Sequence, residues 1–165
     1  MKYVDLPNGQ QMIVDDDFSY KGKIRVNAWG YVTRSKTIGY AKSTSVCIHI
    51  EILENVLGRK LEDGELCDHV NRNKLDCRRV NLRLASKKQN NVNRAIQANN
   101  ASGFKGVCWD KNRNKWIVHI GLNGRNHFLG RYADTVSAAK AYDIAAKEYY
   151  GEFAVLNFPE SSKSQ

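Results

Sequence analysis

Long apolar runs are absent from this sequence, and so is any cysteine pattern typical of a metal or disulfide framework. No apolar run approaches the roughly 18 residues that a membrane-spanning helix needs. The first residues, Met1 to Asp5, lead into polar sequence and not into the apolar stretch of a signal peptide. The cysteines form no Cys-x-x-Cys pair, and the set of Cys67, His69, Cys77 and His49 fits no common zinc spacing. We therefore expect a soluble, cytoplasmic protein with reduced thiols and no membrane contact.

Acidic residues are outnumbered only in the second part of the chain. Residues 1–66 carry nine Lys or Arg and nine Asp or Glu, so they have no net charge. Residues 67–165 carry 17 basic and 8 acidic residues, which accounts for the whole formal charge of +9. A basic excess confined to one part of a chain is typical of a surface that binds a polyanion such as nucleic acid. A general solubilising charge is the alternative.

The first 66 residues have the pattern of a small antiparallel sheet followed by a helix. Residues 24–29, 31–34 and 45–49 are short strand-forming segments. Turns are predicted at residues 6–9 and at the acidic triplet Asp15–Asp17, which we interpret as solvated and not as a metal site. Apolar residues at helical spacing from Ile50 to the stop residue Gly58 predict a short amphipathic helix.

Four short motifs follow one another in the middle of the chain. They are Asp68-His69, Asp76-Cys77-Arg78, Asn81-Leu82 and Gln89-Asn90, with Asn81 12 residues after His69 (81 − 69) and Asn90 9 residues later (90 − 81). In this order and spacing, the segment resembles an HNH endonuclease of the phage and intron-encoded homing type. The alternative to a nuclease site is that Asn81 and Asn90 are ordinary turn residues.

The resemblance implies a hairpin and a helix around one divalent cation, Mg²⁺ or Mn²⁺, in each active site. Asp68 and Asn90 would be the metal ligands, since hard cations prefer oxygen donors and Mg²⁺ keeps room for water and phosphate. His69 would be the general base, because an imidazole titrates near neutral pH. By the same resemblance, Asn81 would lie across from His69 and orient its ring. Neighbouring strand residues point to opposite faces, so Asp68 and His69 reach one phosphate only if the strand twists or ends there.

The local sequence agrees with a ββα unit. Strands are predicted over residues 66–70 and 80–84, joined by a polar loop that Asp76 and Arg78 could lock by hydrogen bonds. Ser86 and Gln89 match a capping box, so a helix should begin at Lys87.

Basic residues are frequent in this unit, which indicates contact with the DNA backbone. Such phosphate contacts supply most of the non-specific affinity for DNA. The candidate DNA contacts here are Arg72, Lys74, Arg78, Arg79, Lys87 and Lys88. In the resembling family a histidine often stands just before the preceding helix, where His49 stands. Its role could be a phosphate contact or packing.

Residues 97–103 lack hydrophobic periodicity and are small and polar, which is typical of a linker. We therefore predict two domains, residues 1–98 and residues 101–160, with a boundary near residue 100.

The last part of the chain has the pattern of three strands and one helix. Trp116, Val118 and Ile120 share one face of a strand, and another strand spans residues 126–132. Asp134 or Thr135 caps a helix that Gly151 ends. The predicted buried stripe of this helix comprises Ala138, Ala139, Tyr142, Ala145, Ala146 and Tyr149.

Over about residues 103–159 this order resembles the APETALA/ethylene-response-factor DNA-binding domain, ending in Leu156-Asn157-Phe158-Pro159. In that family the sheet lies in the DNA major groove. The positions that the resemblance turns outward are Lys105, Lys115, His119, Asn126 and Phe128, and Lys111 and Arg113 fall in the first turn. Cys108, Asp110 and Gly121 stand near places where the plant domains carry arginine, so sequence preference does not transfer. For Trp109 and Trp116 we favour core packing.

The sequence thus predicts an α+β protein with a small antiparallel N-terminal sheet and a ββα-metal motif. A three-stranded antiparallel sheet packed on one helix follows. The predicted function is metal-dependent, homing-type cleavage of double-stranded DNA at a site that the C-terminal domain selects, in the cytoplasm of a phage host or intron-bearing cell. No obligate protein partner is evident. The alternatives are a DNA-binding transcription regulator with an inactive nuclease unit, and an RNA-binding module.

Overall fold

The computed structural model describes residues 1–40, 42–94, 96 and 100–159. The chain divides into two compact units, Met1–Asn90 and Asn91–Gln165. This division falls earlier along the chain than the boundary predicted near residue 100. The predicted linker at residues 97–103 lies partly outside the described residues.

The first unit begins with a hairpin of two four-residue strands, β1 (Lys2–Asp5) and β2 (Gln11–Val14), paired antiparallel. The amide of Leu6 donates to the carbonyl of Gln10 across the turn. The sequence indicated this turn but not the strands, because four residues leave too few alternating positions to reveal a strand. Met12 and Val14 point into the core and are fully buried.

A three-stranded antiparallel sheet follows, in the order β3 (Ile24–Val26), β4 (Val32–Gly39) and β5 (Lys42–Cys47). It confirms the predicted small N-terminal sheet. Helix α1 spans Ile48–Leu57 and is capped by Gly58, whose φ of 67° is left-handed. The helix begins two residues before the predicted start, so His49 lies in its first turn and not ahead of it.

The middle of the chain forms the predicted ββα order. Strands β6 (Glu65–His69) and β7 (Leu82–Ser86) pair antiparallel, and helix α2 spans Lys87–Val92. Ser86 and Gln89 exchange the two capping-box bonds, of 2.7 and 3.3 Å, as predicted. Asn81 lies in a 3-10 turn, Arg79–Asn81, and not in the second strand.

One hydrophobic core holds this unit together. Its buried members come from the first hairpin, the sheet, α1 and the ββα unit, so the elements around the candidate site share one core. They are Leu6, Met12, Val14, Val32, Ile48, Ile52, Cys77 and Leu82.

The second unit is a three-stranded antiparallel sheet covered by one helix. Its strands are β8 (Val107–Asp110), β9 (Lys115–Leu122) and β10 (Arg125–Tyr132), in the order β10-β9-β8. Helix α3 spans Thr135–Tyr150, and the Asp134 side chain caps it by accepting from the Ser137 amide at 2.7 Å. The predicted α+β class is confirmed.

Alanines let α3 lie close to the sheet, where its small face meets Val107, Val118 and Ile120. The predicted stripe is confirmed for the four alanines and Tyr142, which are buried. It is wrong for Tyr149, which is 43% exposed. Helix α3 ends at Tyr150, directly before the predicted stop residue Gly151. The hydroxyl of Tyr150 donates to the carbonyl of Gly121 on the sheet.

The segment after α3 is fastened to the helix by a buried carboxylate. Asp143 accepts from the amides of Asn157 and Phe158, each at 2.8 Å. The Asn157 side chain in turn accepts from the Lys105 amide at 2.7 Å, ahead of β8. The motif around Asn157 therefore joins the two ends of this unit.

No helix formed by the described residues is both long and apolar enough to cross a membrane.

Gly106 offers a test of the packing between α3 and the sheet. Its φ is +76°, and an added Cβ would lie 2.1 Å from the Tyr142 ring and 2.8 Å from the His119 carbonyl oxygen. Gly124 has the same φ of +76° with nothing within 4 Å, so it isolates the cost of backbone strain. We expect Gly106→Ala to lower the free energy of unfolding by about 1–3 kcal/mol more than Gly124→Ala, the usual cost of overpacking. Urea denaturation measures both, and equal losses would contradict this packing.

Candidate active site

Asp68 and His69 lie side by side where β6 ends. Their side chains are buried, with 4% and 5% exposed, and their partners across the hairpin are Arg83 and Leu82. After His69 the chain leaves the strand, and the amide of Val70 donates to the carbonyl of Asn81 at 2.9 Å. The strand therefore ends directly after His69, which is the condition predicted above for both side chains to reach one phosphate.

Arg83 holds the carboxylate of Asp68. Its Nε and Nη2 atoms both lie 2.9 Å from Oδ2 of Asp68, and the two side chains are largely buried. Removing either partner of such a buried pair is costly, because the other charge is left uncompensated. Arg83 was absent from the predicted site, although the hairpin register places it directly opposite Asp68.

Asn81 organises the loop that follows His69. Its Oδ1 accepts from the amide of Asn71 at 2.9 Å, and its Nδ2 donates to Oδ1 of Asn71 at 2.9 Å and to the carbonyl of Asp76 at 2.8 Å. These bonds fix the path of the chain away from His69. That Asn81 also orients the His69 ring stays a prediction.

The same loop is locked by Asp76 and Arg78, as the sequence indicated. Nε and Nη2 of Arg78 donate to the two carboxylate oxygens of Asp76 at 2.7 and 2.6 Å, and the side-chain amide of Asn71 donates to Oδ2 at 2.8 Å. The hydrogen bond from Arg78 is the main reason that the pKa of Asp76 lies below its usual value.

His49 and Tyr31 pack against His69. The ring centroids of His49 and His69 are 5.0 Å apart, and the Tyr31 ring lies 4.7 Å from His49 and 6.0 Å from His69. Burial, with a smaller contribution from His69, lowers the pKa of His49 to about 3. Burial also lowers the pKa of His69, against the opposing effect of Asp68 and Asp76. Both rings are therefore neutral near pH 7, the state in which an imidazole accepts a proton.

The donors predicted for a cation are compatible with one. Asp68 supplies a carboxylate held in place by Arg83, and Asn90, half-buried in α2, supplies an amide oxygen. Both are the hard oxygen donors that Mg²⁺ takes. Among the described residues no group of three or more His, Cys, Asp and Glu side chains could hold a metal ion. A cation here would therefore rest on one carboxylate and one amide, with substrate and water completing its shell.

In the second unit one face of the sheet is turned away from α3. Strand pairing places Lys115, His119 and Asn126 on this face, and Phe128 lies beside His119 with ring centroids 5.6 Å apart. Lys111 and Arg113 are exposed in the turn between β8 and β9.

Two comparisons with known families divide the chain in the same way. Residues 46–92 match the family model described as HNH endonuclease, and residues 102–152 match the AP2 domain. Protein 3.8 of Escherichia phage T7 is 32% identical over 106 residues, which are 64% of this chain and 86% of the phage protein. The chain belongs to the same family as this phage protein, and it contains an HNH endonuclease domain followed by an AP2 domain. Below, Met1–Asn90 is the HNH unit and Asn91–Gln165 the AP2 unit, which contains the AP2 DNA-binding domain.

For two further relatives, the region similar to this chain is a smaller share of the relative's own length. The uncharacterized HNH endonuclease L560 of Acanthamoeba polyphaga mimivirus is 29% identical over 110 residues, 67% of this chain and 56% of that protein. An AP2-like ethylene-responsive transcription factor of Arabidopsis thaliana is 36% identical over 83 residues, 50% of this chain and 24% of the factor.

The basic side chains predicted to contact DNA in the HNH unit fall into two groups. Arg72, Lys87 and Lys88 are exposed, and their side chains make no hydrogen bond or ion pair within the described part of the chain. The other three bond to the protein: Lys74 donates to the Trp29 carbonyl at 2.7 Å, and Arg78 is held by Asp76.

Arg79 is the third basic residue that bonds to the protein, and its partners belong to the acidic triplet Asp15–Asp17. Its amide donates to Asp15 at 2.9 Å and its Nη2 to Asp17 at 2.8 Å, while Asp16 pairs with the amino terminus at 2.7 Å. The triplet thus binds Arg79, at the end of the loop after β6, and also forms the turn predicted from the sequence.

In the AP2 unit, the structure separates Lys105 from the other predicted contacts and adds Arg131. The Lys105 ammonium donates to the carbonyls of Val92 and Arg94, at 2.5 and 2.8 Å. The guanidinium of Arg131 lies 4.8 Å from the Phe128 ring centroid and 3.5 Å from Asp110. A β-bulge between Phe128 and Gly130 brings Arg131 to the outward face, which strict alternation along the strand would not predict.

The Asp76–Arg78 lock predicts an acid-sensitive HNH unit. A lowered pKa means that the contribution of Asp76 to stability is fully present above its unfolded pKa, about 4, and is lost as the pH falls through its folded value. We expect Asp76→Asn to destabilise the unit by about 1.5–3 kcal/mol at pH 7, the range for hydrogen bonds to charged groups, and by less at pH 3. Urea unfolding at both pH values measures this.

The exposed Asp63 provides the control, because Asp63→Asn removes a carboxylate without such a lock. A difference between Asp76→Asn and wild type that is the same at pH 3 and pH 7 would contradict the role given to Asp76.

Proposed function

We propose that this protein is a metal-dependent, homing-type endonuclease that hydrolyses phosphodiester bonds of double-stranded DNA at a site selected by its AP2 unit. The observation that carries the proposal is the pairing, at one strand end, of a buried neutral His69 with a buried Asp68 held by Arg83. A base beside an anionic oxygen donor is what metal-assisted phosphate hydrolysis requires. Action in the cytoplasm is part of the proposal.

Each residue of the site has a separate role in this proposal. His69 takes a proton from the attacking water, and its lowered pKa keeps it available as a base. Asp68 and Asn90 hold the divalent cation, Mg²⁺ or Mn²⁺. When bound, that ion supplies positive charge to the reacting phosphate and the leaving oxygen. Asn81 keeps the loop after His69 in one path.

The AP2 unit would select the DNA site through its outward sheet face. Lys115, His119, Asn126 and the turn residues Lys111 and Arg113 would contact DNA there. In the HNH unit, Arg72, Lys87 and Lys88 are the best-placed phosphate contacts, because their side chains are exposed and make no bond within the described residues.

A second candidate is a DNA-binding regulator that does not cut. The similarity of the AP2 unit to plant factors named as transcription factors favours it. The buried Asp68–Arg83 pair and the neutral histidine beside it favour the nuclease, because DNA binding by the AP2 unit needs none of these groups.

His69→Ala distinguishes these candidates. We expect wild type with Mg²⁺ to relax or linearise plasmid DNA, and His69→Ala to be at least about 100-fold slower, the usual contribution of a general base. DNA affinity should stay nearly unchanged, since it rests on many cationic contacts. His127→Ala, an exposed histidine of β10, is the matched control. Near wild-type cleavage by His69→Ala would exclude His69 as the base, and full activity in EDTA would exclude a metal-dependent reaction.

Separate fragments test the division of labour. Residues 1–97 should keep the chemistry but cut poorly and with little site preference, and residues 100–165 should bind DNA without cutting. Joining two weak sites raises the effective concentration of the second, so the full chain should bind more tightly than either part. Anisotropy titrations across salt measure this, with Lys115→Ala shrinking the salt slope by about one unit if it contacts a phosphate. A fragment 100–165 that does not bind DNA at low salt would contradict the targeting role.

A further inference from the structure

The turn between β3 and β4 presents an exposed tryptophan that the turn itself does not need. Trp29 is 74% exposed. The turn is closed by Asn27, whose side-chain oxygen accepts from the amides of Trp29 and Tyr31, both at 3.0 Å, and whose carbonyl accepts from Gly30 at 2.9 Å. All of these bonds are made by the backbone or by Asn27. The indole is thus displayed by a well-ordered turn without helping to close it.

This turn is fastened to the residues around His69. The ammonium of Lys74, from the loop after β6, donates to the Trp29 carbonyl at 2.7 Å and lies 4.6 Å from the Tyr31 ring centroid. Tyr31 in turn stacks on His49 and lies 6.0 Å from His69. The position of the Trp29 backbone is therefore fixed relative to the proposed base.

Exposure alone does not distinguish Trp29, since Tyr40 is fully exposed as well. Tyr40 follows the far end of β4, an eight-residue strand, so it is on the order of 25 Å from Tyr31. Trp29 differs because its turn adjoins the rings of Tyr31, His49 and His69. It also adjoins the loop that carries Lys74 and the exposed Arg72. An aromatic ring next to basic side chains is the combination that holds a base and its phosphate.

We propose that Trp29 is a DNA-contact residue that stacks on, or wedges beside, a base at the step whose phosphate lies at His69. This inference rests on the proposed function and adds a specific element to it. Stacking on a base would hold the backbone of that step against the site, while Lys74 keeps the turn in place. The indole contacts the substrate and takes no part in proton transfer.

Three full-length variants test the proposal: Trp29→Ala, the conservative Trp29→Phe, and Tyr40→Ala as the control exposed aromatic. We expect Trp29→Ala to bind a DNA duplex in EDTA about tenfold more weakly, within the range for loss of one base–aromatic stack. Trp29→Phe should retain most of the affinity, and Tyr40→Ala should match wild type. Thermal midpoints should be unchanged, because the replaced side chains are exposed.

Fluorescence supplies a readout that a purely structural role would not change. Adding the duplex should quench part of the tryptophan emission of wild type, and Trp29→Phe should lack that part. Identical quenching in both proteins, or equal binding by wild type and Trp29→Ala, would overturn the proposal. So would a loss of affinity in Tyr40→Ala as large as that in Trp29→Ala.

Plasmid cleavage with Mg²⁺ separates this proposal from the proposed function. If wild type binds DNA without cutting it, the nuclease assignment fails, while the quenching difference still decides the role of Trp29. If wild type cuts and Trp29→Ala cuts equally fast at limiting DNA, the nuclease assignment stands and the Trp29 inference fails.

Discussion

The hydrogen bonds of Asn81 are the constraint on which the candidate site depends. The buried side-chain amide of Asn81 donates to Asn71 and to the carbonyl of Asp76. The side chain of Asp76 in turn accepts from Arg78. Polar groups buried this deeply are costly unless every one finds a partner, so the network favours a single loop conformation. The loop leaves directly from His69, and its conformation therefore decides what can approach that ring.

His69 and Asp68 are both buried but have different surroundings. A buried imidazole resists protonation, so burial lowers the pKa of His69 and of His49, whereas the buried carboxylate of Asp68 is paired with Arg83 at 2.9 Å. A proton acceptor thus lies next to a carboxylate that an arginine holds in place, on one strand.

Local sequence signals predicted most of the fold, and long-range pairing explains what they missed. The capping box, the helix N-cap at Asp134 and the alternation in β9 all act within a few residues, so each is visible in the sequence. The partner of Arg79 lies 62 residues away at Asp17, and no local pattern indicates it. Likewise, a single extra residue in β10 moves Arg131 to the face of Phe128, and such a bulge leaves no mark on composition.

The first hairpin has a consequence for how the HNH unit could be transferred to another protein. Ile13 of β2 pairs with the loop through the bonds Ile13 amide to Leu75 carbonyl and Cys77 amide to Ile13 carbonyl, both 2.8 Å. The loop thereby gains a neighbouring strand from outside residues 46–92, the segment that defines the family match. The smallest segment that could be transferred with its loop supported is thus longer than residues 46–92, because those residues alone would lack the strand that pairs with the loop.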